Sequence, residues 1–250
     1  MWQQVHTCLL HSHTWARVLS AQLLGLYLSH MSAEKIVNNC LKTSKSVWIN
    51  NVGTVKALVL DSIEQLSLVK DADAELGTQI VKNIVALSKV TLVSDWESVL
   101  ESSEDKVTFK WIVKKCLKVA NQELVSTPSI TNKRVLVFNL VAAACLGSPK
   151  SSVEDVLRIV LPPLHRGVIG PVEELKQHCQ DVIDLLKSQV DEGMFSEVYL
   201  EIQMKLSKQK GERAQSKKQN LILNPEAAAK RKIRINESKK RAKKAKFQNK

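Results

Sequence analysis

Apolar residues recur along the chain at intervals of three and four, the spacing that lines one face of an α-helix. Trp15, Val18, Leu19, Leu23 and Leu26 form one stripe, and Val55, Leu58, Val59, Ile63, Leu66 and Val69 form another. Leu76, Ile80, Ile84 and Leu87 follow, then Phe109, Ile112, Val113, Cys116, Leu117, Ala120 and Leu124. Val153, Val156, Leu157, Val160 and Leu164 precede Leu175, Cys179, Val182 and Leu186, and Phe195, Val198, Tyr199, Ile202 and Leu206 close the series. No alternating run of comparable length demands a strand. With 8 Gly and 6 Pro in 250 residues, the chain also lacks the frequent breakers of a sandwich or barrel. The pattern predicts an all-α fold.

Punctuation fits this segmentation. Thr14, Thr131 and Ser152 stand where N-caps belong, and Gly147, Gly167, Gly170 and Gly193 stand near expected helix ends. Pro162 and Pro163 are expected to interrupt a helix, because proline lacks the amide donor and clashes with the preceding turn. The connectors 126–131, 147–152 and 165–171 are short, which favours antiparallel neighbours in a bundle or a solenoid. A faint repeat is present. Thr14-Trp15-Ala16-Arg17-Val18 runs into Leu24-Gly25, and Thr131-Asn132-Lys133-Arg134-Val135 runs into Leu146-Gly147. Second helices of HEAT-type repeats have this form, and so does any capped amphipathic helix.

Charge changes the picture. Residues 201–250 hold 17 Lys/Arg against 4 Asp/Glu, a net of +13, while residues 1–200 hold 20 basic and 21 acidic side chains. A near-neutral body, 1–206, therefore carries a cationic tail, 207–250. Such a density of like charge seeks a polyanion, most commonly nucleic acid. Within the tail, Asn224-Pro225-Glu226 reads as a helix start: a capping amide, a proline at the first position, a carboxylate at the positive end of the dipole. Two cation clusters follow, Lys230, Arg231, Lys232 and Arg234, then Lys239, Lys240, Arg241, Lys243, Lys244 and Lys246. Like charges at i,i+4 oppose the helix in isolation, so the tail is expected to be helical when phosphate neutralises it and disordered otherwise. These ten residues are the candidates for nucleic-acid binding, nuclear localisation or both. Reading of base sequence is not expected, since the tail offers only Phe247 beyond Tyr199 for stacking.

Catalytic, metal and membrane signals are missing. His6, His11 and His13 have no Cys or carboxylate beside them at ligand spacing and read as helix-end and turn histidines. Gly53-Thr54 lacks the rest of a phosphate loop, and Glu154-Asp155 and Glu173-Glu174 fall at helix starts, where the dipole accounts for them. The five cysteines (Cys8, Cys40, Cys116, Cys145, Cys179) are odd in number and widely spaced, which suits reduced thiols in an intracellular protein. No cleavable leader is evident, and the longest apolar run, Val135 to Leu146, is too short to span a bilayer. No cofactor, small-molecule substrate or membrane partner is expected, and the chain reads as a non-enzyme.

Several strings resemble one family. Trp2-Gln3-Gln4-Val5-His6, Leu9 to Leu19 and Ser20-Ala21-Gln22-Leu23-Leu24-Gly25-Leu26 look like a repeat near the C-terminal end of small-subunit processome component 20, the down-regulated in metastasis protein family. Glu75 to Val90 resembles its next helices. Val182 to Leu186, Phe195, Tyr199, Lys205-Leu206 and Asn224 to Lys230 resemble its closing helix and basic tail. The resemblance implies an all-α, HEAT-like helical-repeat solenoid with a basic C-terminal extension. It implies a non-catalytic scaffold of the nucleus and nucleolus that serves small ribosomal subunit biogenesis and pre-18S rRNA processing. Partners would be other small-subunit processome proteins, and pre-rRNA or snoRNA reached through the tail. Family members are far longer, so the match implies their C-terminal end, with an uncapped apolar face around Trp2, Val5 and Leu9. A helical-repeat transport adaptor whose tail is a nuclear localisation signal is the rival reading, and an enzyme on a helical scaffold is a second.

Overall fold

The computed structural model describes residues 2–42, 46–70, 73–121, 128–223, 225, 226, 229, 230 and 232–238. The described residues are helical with no strand, and they fall into two compact units, Met1–Tyr199 and Leu200–Lys250. In the first, α1 (Trp2–Cys8), α4 (Val52–Leu68), α7 (Phe109–Asn121) and α9 (Lys150–Val168) form one layer. Helices α2 (Thr14–His30), α5 (Ala74–Val90), α8 (Pro128–Cys145) and α10 (Glu173–Ser188) form the other. Each helix of the first layer packs on its successor in the second, α1 on α2, α4 on α5, α7 on α8 and α9 on α10. Along the second layer α2 meets α5, α5 meets α8 and α8 meets α10. Along the first, α4 meets α7 and α7 meets α9, while a 2.8 Å contact between His6 Nε2 and Asp61 Oδ2 ties α1 to α4. The short helices α3 (Ala33–Leu41) and α6 (Trp96–Glu101) pack on one another, and α3 also packs on α5. Two layers of successive helix pairs are compatible with a helical repeat.

The core follows the apolar stripes in most helices. Val55, Leu58, Val59, Ile63 and Leu66 of α4, Leu76, Ile80, Ile84 and Leu87 of α5, and Phe109 to Ala120 of the α7 stripe are buried. The same holds for the α9 and α10 stripes. None of the five cysteines is in a disulfide. Burial pushes the Cys40 thiol up to about 11 and those of Cys116, Cys145 and Cys179 to about 12, so these four behave as small apolar residues.

Helix α2 departs from its stripe. Trp15 is 69% exposed, Leu26 60% and Leu19 51%, while Ala16, Arg17, Ser20, Ala21, Leu24 and Leu28 face inward. The inward face is held by polar contacts to its backbone. Gln65 Nε2 donates to Arg17 O at 3.1 Å and Asn83 Nδ2 to Ala21 O at 2.8 Å, so α4 and α5 grip α2 by its carbonyls. Both amides are buried, where a made hydrogen bond is worth most and a missing one costs most. The apolar face expected around Trp2, Val5 and Leu9 is covered instead. Val5 and Leu9 are buried, and Trp2 stacks on Trp48 at 5.0 Å and meets Tyr27 edge-on at 5.0 Å.

Arg17 and Arg134, the arginines of the faint repeat, do similar work. Arg17 Nη1 donates to His11 O at 2.8 Å and Ser12 O at 3.0 Å, in the turn that follows α1. Arg134 Nε donates to Ala120 O at 3.1 Å, at the end of α7. Helices α2 and α8 thus hydrogen-bond carbonyls that end or follow their first-layer partners, which otherwise lack intrahelical donors.

The expected caps lie elsewhere. Thr14 opens α2 behind His13 and accepts from Arg17 Nη2 at 3.0 Å, Ser152 sits in the first turn of α9 behind Pro149, and Thr131 lies within α8. Side-chain caps include Ser32, which accepts from Lys35 N, Asn51, which accepts from Thr54 N at 2.8 Å, and Thr108, which accepts from Trp111 N at 3.1 Å. Gly147 does end α8's turn, with φ of 74° in the left-handed region. Helix α9, however, runs unbroken through Pro162 and Pro163. Two missing donors cost stability in an isolated helix. Here Val160, Leu161, Pro163 and Leu164 are buried in a helix packed on α7 and α10, and that burial outweighs the loss. The connector expected at 165–171 is correspondingly shortened. Gly167, inside α9, lets α10 come close: a Cβ there would lie 2.3 Å from Cys179 Sγ.

His165 of α9 faces Tyr199, with Nδ1 3.1 Å from the phenol oxygen and the rings edge-on. Burial holds its pKa below the ordinary 6.5. The unfolded chain therefore takes up this proton first as pH falls, so the contribution is full above about 6.5 and is lost on acidification toward the folded pKa. The melting temperature should drop as pH falls below about 6.5. The drop should be smaller in His165→Phe, and an equal drop in both proteins would exclude His165 as its source.

Candidate nucleic-acid interface

Helix α11 (Glu192–Leu223) continues for 32 residues, through the 207–220 stretch where the apolar pattern stops. Lys, Gln, Glu, Arg and Ala dominate there, all good helix formers, and Gly211 is the lone poor one. The absence of a stripe reflects the absence of a face to bury, not the end of the helix: residues 207–216 are all exposed. Lys208, Lys210, Arg213 and Lys218 are exposed, as is Lys205 one turn earlier. At 3.6 residues per turn these five point around the helix axis and not along one side. They were not among the sequence candidates, although their density was visible there.

Beyond α11 the described residues are again helical and exposed, at 225, 226, 229, 230 and 232–238. Three of the ten candidate residues, Lys230, Lys232 and Arg234, fall among them and stand in solvent. Arg231, Lys239, Lys240, Arg241, Lys243, Lys244 and Lys246 lie outside the described residues, as does the proposed cap Asn224. Lys230 Nζ is 2.8 Å from Glu226 Oε1, one helical turn back. An exposed pair of this kind contributes about 0.3–0.5 kcal/mol, so a phosphate oxygen can replace the carboxylate at little cost. Lys230 and Arg234 are four residues apart and share a side, with Lys232 between them on another. Ile233 and Ile235 are about half exposed, at 58% and 47%, and pack no core. The described cations of this stretch, Lys230, Lys232 and Arg234, can neutralise phosphate from several directions.

The remaining candidate chemistry resolves into structure. His6 is engaged by Asp61, and His13 N donates to His11 Nδ1 at 3.2 Å within the turn before α2. Among the described residues no three His, Cys, Asp or Glu side chains gather as metal ligands. No described helix is long and apolar enough to cross a membrane. Compared with known families, the chain matches the model described as "Small subunit processome component 20 homolog, C-terminal" over residues 4–249.

Proposed function

The chain belongs to the small subunit processome component 20 homolog, C-terminal family, and from that premise we propose that it is a non-catalytic nucleolar scaffold in small ribosomal subunit biogenesis. The paired layers α1/α2, α4/α5, α7/α8 and α9/α10 act as a HEAT-like solenoid whose surfaces bind other processome proteins. The extension, 207–250, binds pre-rRNA or snoRNA through Lys230, Arg231, Lys232, Arg234, Lys239, Lys240, Arg241, Lys243, Lys244 and Lys246. The observation that carries this reading is the family match over nearly the whole chain, supported by the concentration of charge in residues 201–250.

Gradient sedimentation of nuclear extract tests it. The protein should travel with large pre-ribosomal particles and shift to light fractions after nuclease treatment. A protein found only in light fractions, bound to a defined protein cargo and indifferent to nuclease, would instead be the transport adaptor.

A further inference from the structure

The body is neutral in sum but not in distribution. Helix α7 carries Lys110, Lys114 and Lys118 at successive i,i+4 positions, all exposed, with exposed Lys106 one further interval ahead of the helix. The opposite side of α7 is buried through Phe109, Ile112, Val113, Cys116, Leu117 and Ala120, so the three lysines have one direction to point, outward from the first layer. Lysines four apart on one helix repel and weaken it. Elsewhere the described ion pairs relieve such charge: Lys56–Asp105, Lys176–Glu173, Lys187–Glu192 and Lys230–Glu226. Among the described residues no carboxylate comes within ion-pair distance of Lys110, Lys114 or Lys118.

We propose that this lysine stripe of α7 is a second phosphate-binding surface, one that holds a single-stranded RNA backbone on the body itself. Successive lysines stand about 6 Å apart along the helix axis, a ladder of positive charge that a polyanion of regularly spaced phosphates can follow. A single anion would satisfy one lysine and leave the rest in repulsion, whereas a strand neutralises all three. Partly buried Trp111 lies beside the stripe with Lys115 Nζ over its ring, 5.3 Å from the ring centre. Bases stack on aromatic faces, and Lys115 covers one face of this ring, so the stripe's grip on RNA rests on charge. The helix that carries the stripe is anchored by buried side chains, so binding there need order no backbone. The stripe extends the proposed function by giving the body, and not the tail alone, a grip on RNA.

The test uses the full chain and a labelled 20-nucleotide oligouridine, with affinity measured across a salt series. For single strands, log K falls with log salt at about 0.7 per neutralised phosphate. Lys110→Gln/Lys114→Gln/Lys118→Gln should therefore make the slope shallower by about 2 and weaken binding roughly 10²-fold at about 0.1 M salt. The all-arginine triple variant, which keeps the charge, should bind like the parent. Melting should be unchanged in the arginine variant and unchanged or slightly raised in the glutamine variant, which loses the repulsion, so a loss of binding does not report unfolding. A glutamine variant with the parent's slope and affinity would reduce the stripe to a solvated face. Loss of polyglutamate binding with RNA affinity intact would make it a site for acidic protein instead, and also overturns the inference. The same series in a chain lacking residues 221–250 separates the two surfaces. A loss on glutamine substitution that persists there supports the stripe whether or not the tail binds, and a loss confined to the full chain overturns it as an independent surface.

Discussion

Removing residues 221–250 should abolish nucleolar accumulation and most of the salt-sensitive RNA affinity. The segment contains the ten candidate cations, from Lys230 to Lys246. Ten phosphates neutralised on a single strand correspond to a slope of about −7 in log K against log salt. The full chain should accordingly lose on the order of 10⁴-fold in affinity between about 50 and about 200 mM salt, and the shortened chain far less. Phosphate contacts position without reading sequence, so affinity for unrelated single strands should fall together. The described part of the tail supports this expectation. Lys230, Lys232 and Arg234 are exposed, and the one carboxylate partner observed, Glu226, holds Lys230 only through a solvent-screened pair. RNA binding that survives the deletion with its salt slope intact would rule the tail out as the anchor.

The largest effect on stability is expected at Trp96. Its side chain is 1% exposed, and its indole N–H donates to Val107 O at 2.7 Å. Trp96→Ala should cost about 3–5 kcal/mol for the cavity and about 1–3 kcal/mol more for the buried carbonyl left without its donor. In a domain of this size each kcal/mol moves the melting temperature by about 2–4 °C, so a fall of about 10 °C or more should appear in thermal denaturation. Trp96→Phe keeps most of the packing and loses the hydrogen bond, so its fall should be clearly smaller. Equal falls in the two variants would show that the hydrogen bond outweighs the packing. The position has a functional consequence as well. Trp96, together with the 2.5 Å Lys56–Asp105 pair, secures residues 102–108, the approach to α7 and its lysine stripe.

The helical stripes were legible because a helix buried on one side repeats its apolar residues with the period of the helix. That signal placed the cores of α4, α5, α7, α9 and α10 correctly, apart from Leu124 of the α7 stripe, which lies outside the described residues. It misled at α2, where Trp15, Leu19 and Leu26 lie opposite a face made of Ala16, Arg17, Ser20, Ala21, Leu24 and Leu28. A face of small and polar residues carries little hydrophobic signal, and its burial depends on Gln65 and Asn83, which are distant in the chain. The prolines of α9 misled for a related reason. Their cost is local and visible, while the burial that offsets it comes from α7 and α10. The candidate interface was legible as charge. That α11 stays helical through residues 207–220 was not, because a helix with nothing to bury leaves no periodic trace.

Amino-acid order alone was enough to establish that this chain forms helices, that its cations gather at the end, and which family its strings resemble, since each is a property of neighbouring residues. Which face of α2 turns inward, why Arg17 and Arg134 reach the ends of preceding helices, and that three α7 lysines stand without a carboxylate partner among the described residues depend on contacts between residues far apart in the chain. Helix-to-helix packing chooses among faces that local periodicity leaves equivalent, and it fixes which charges find a partner.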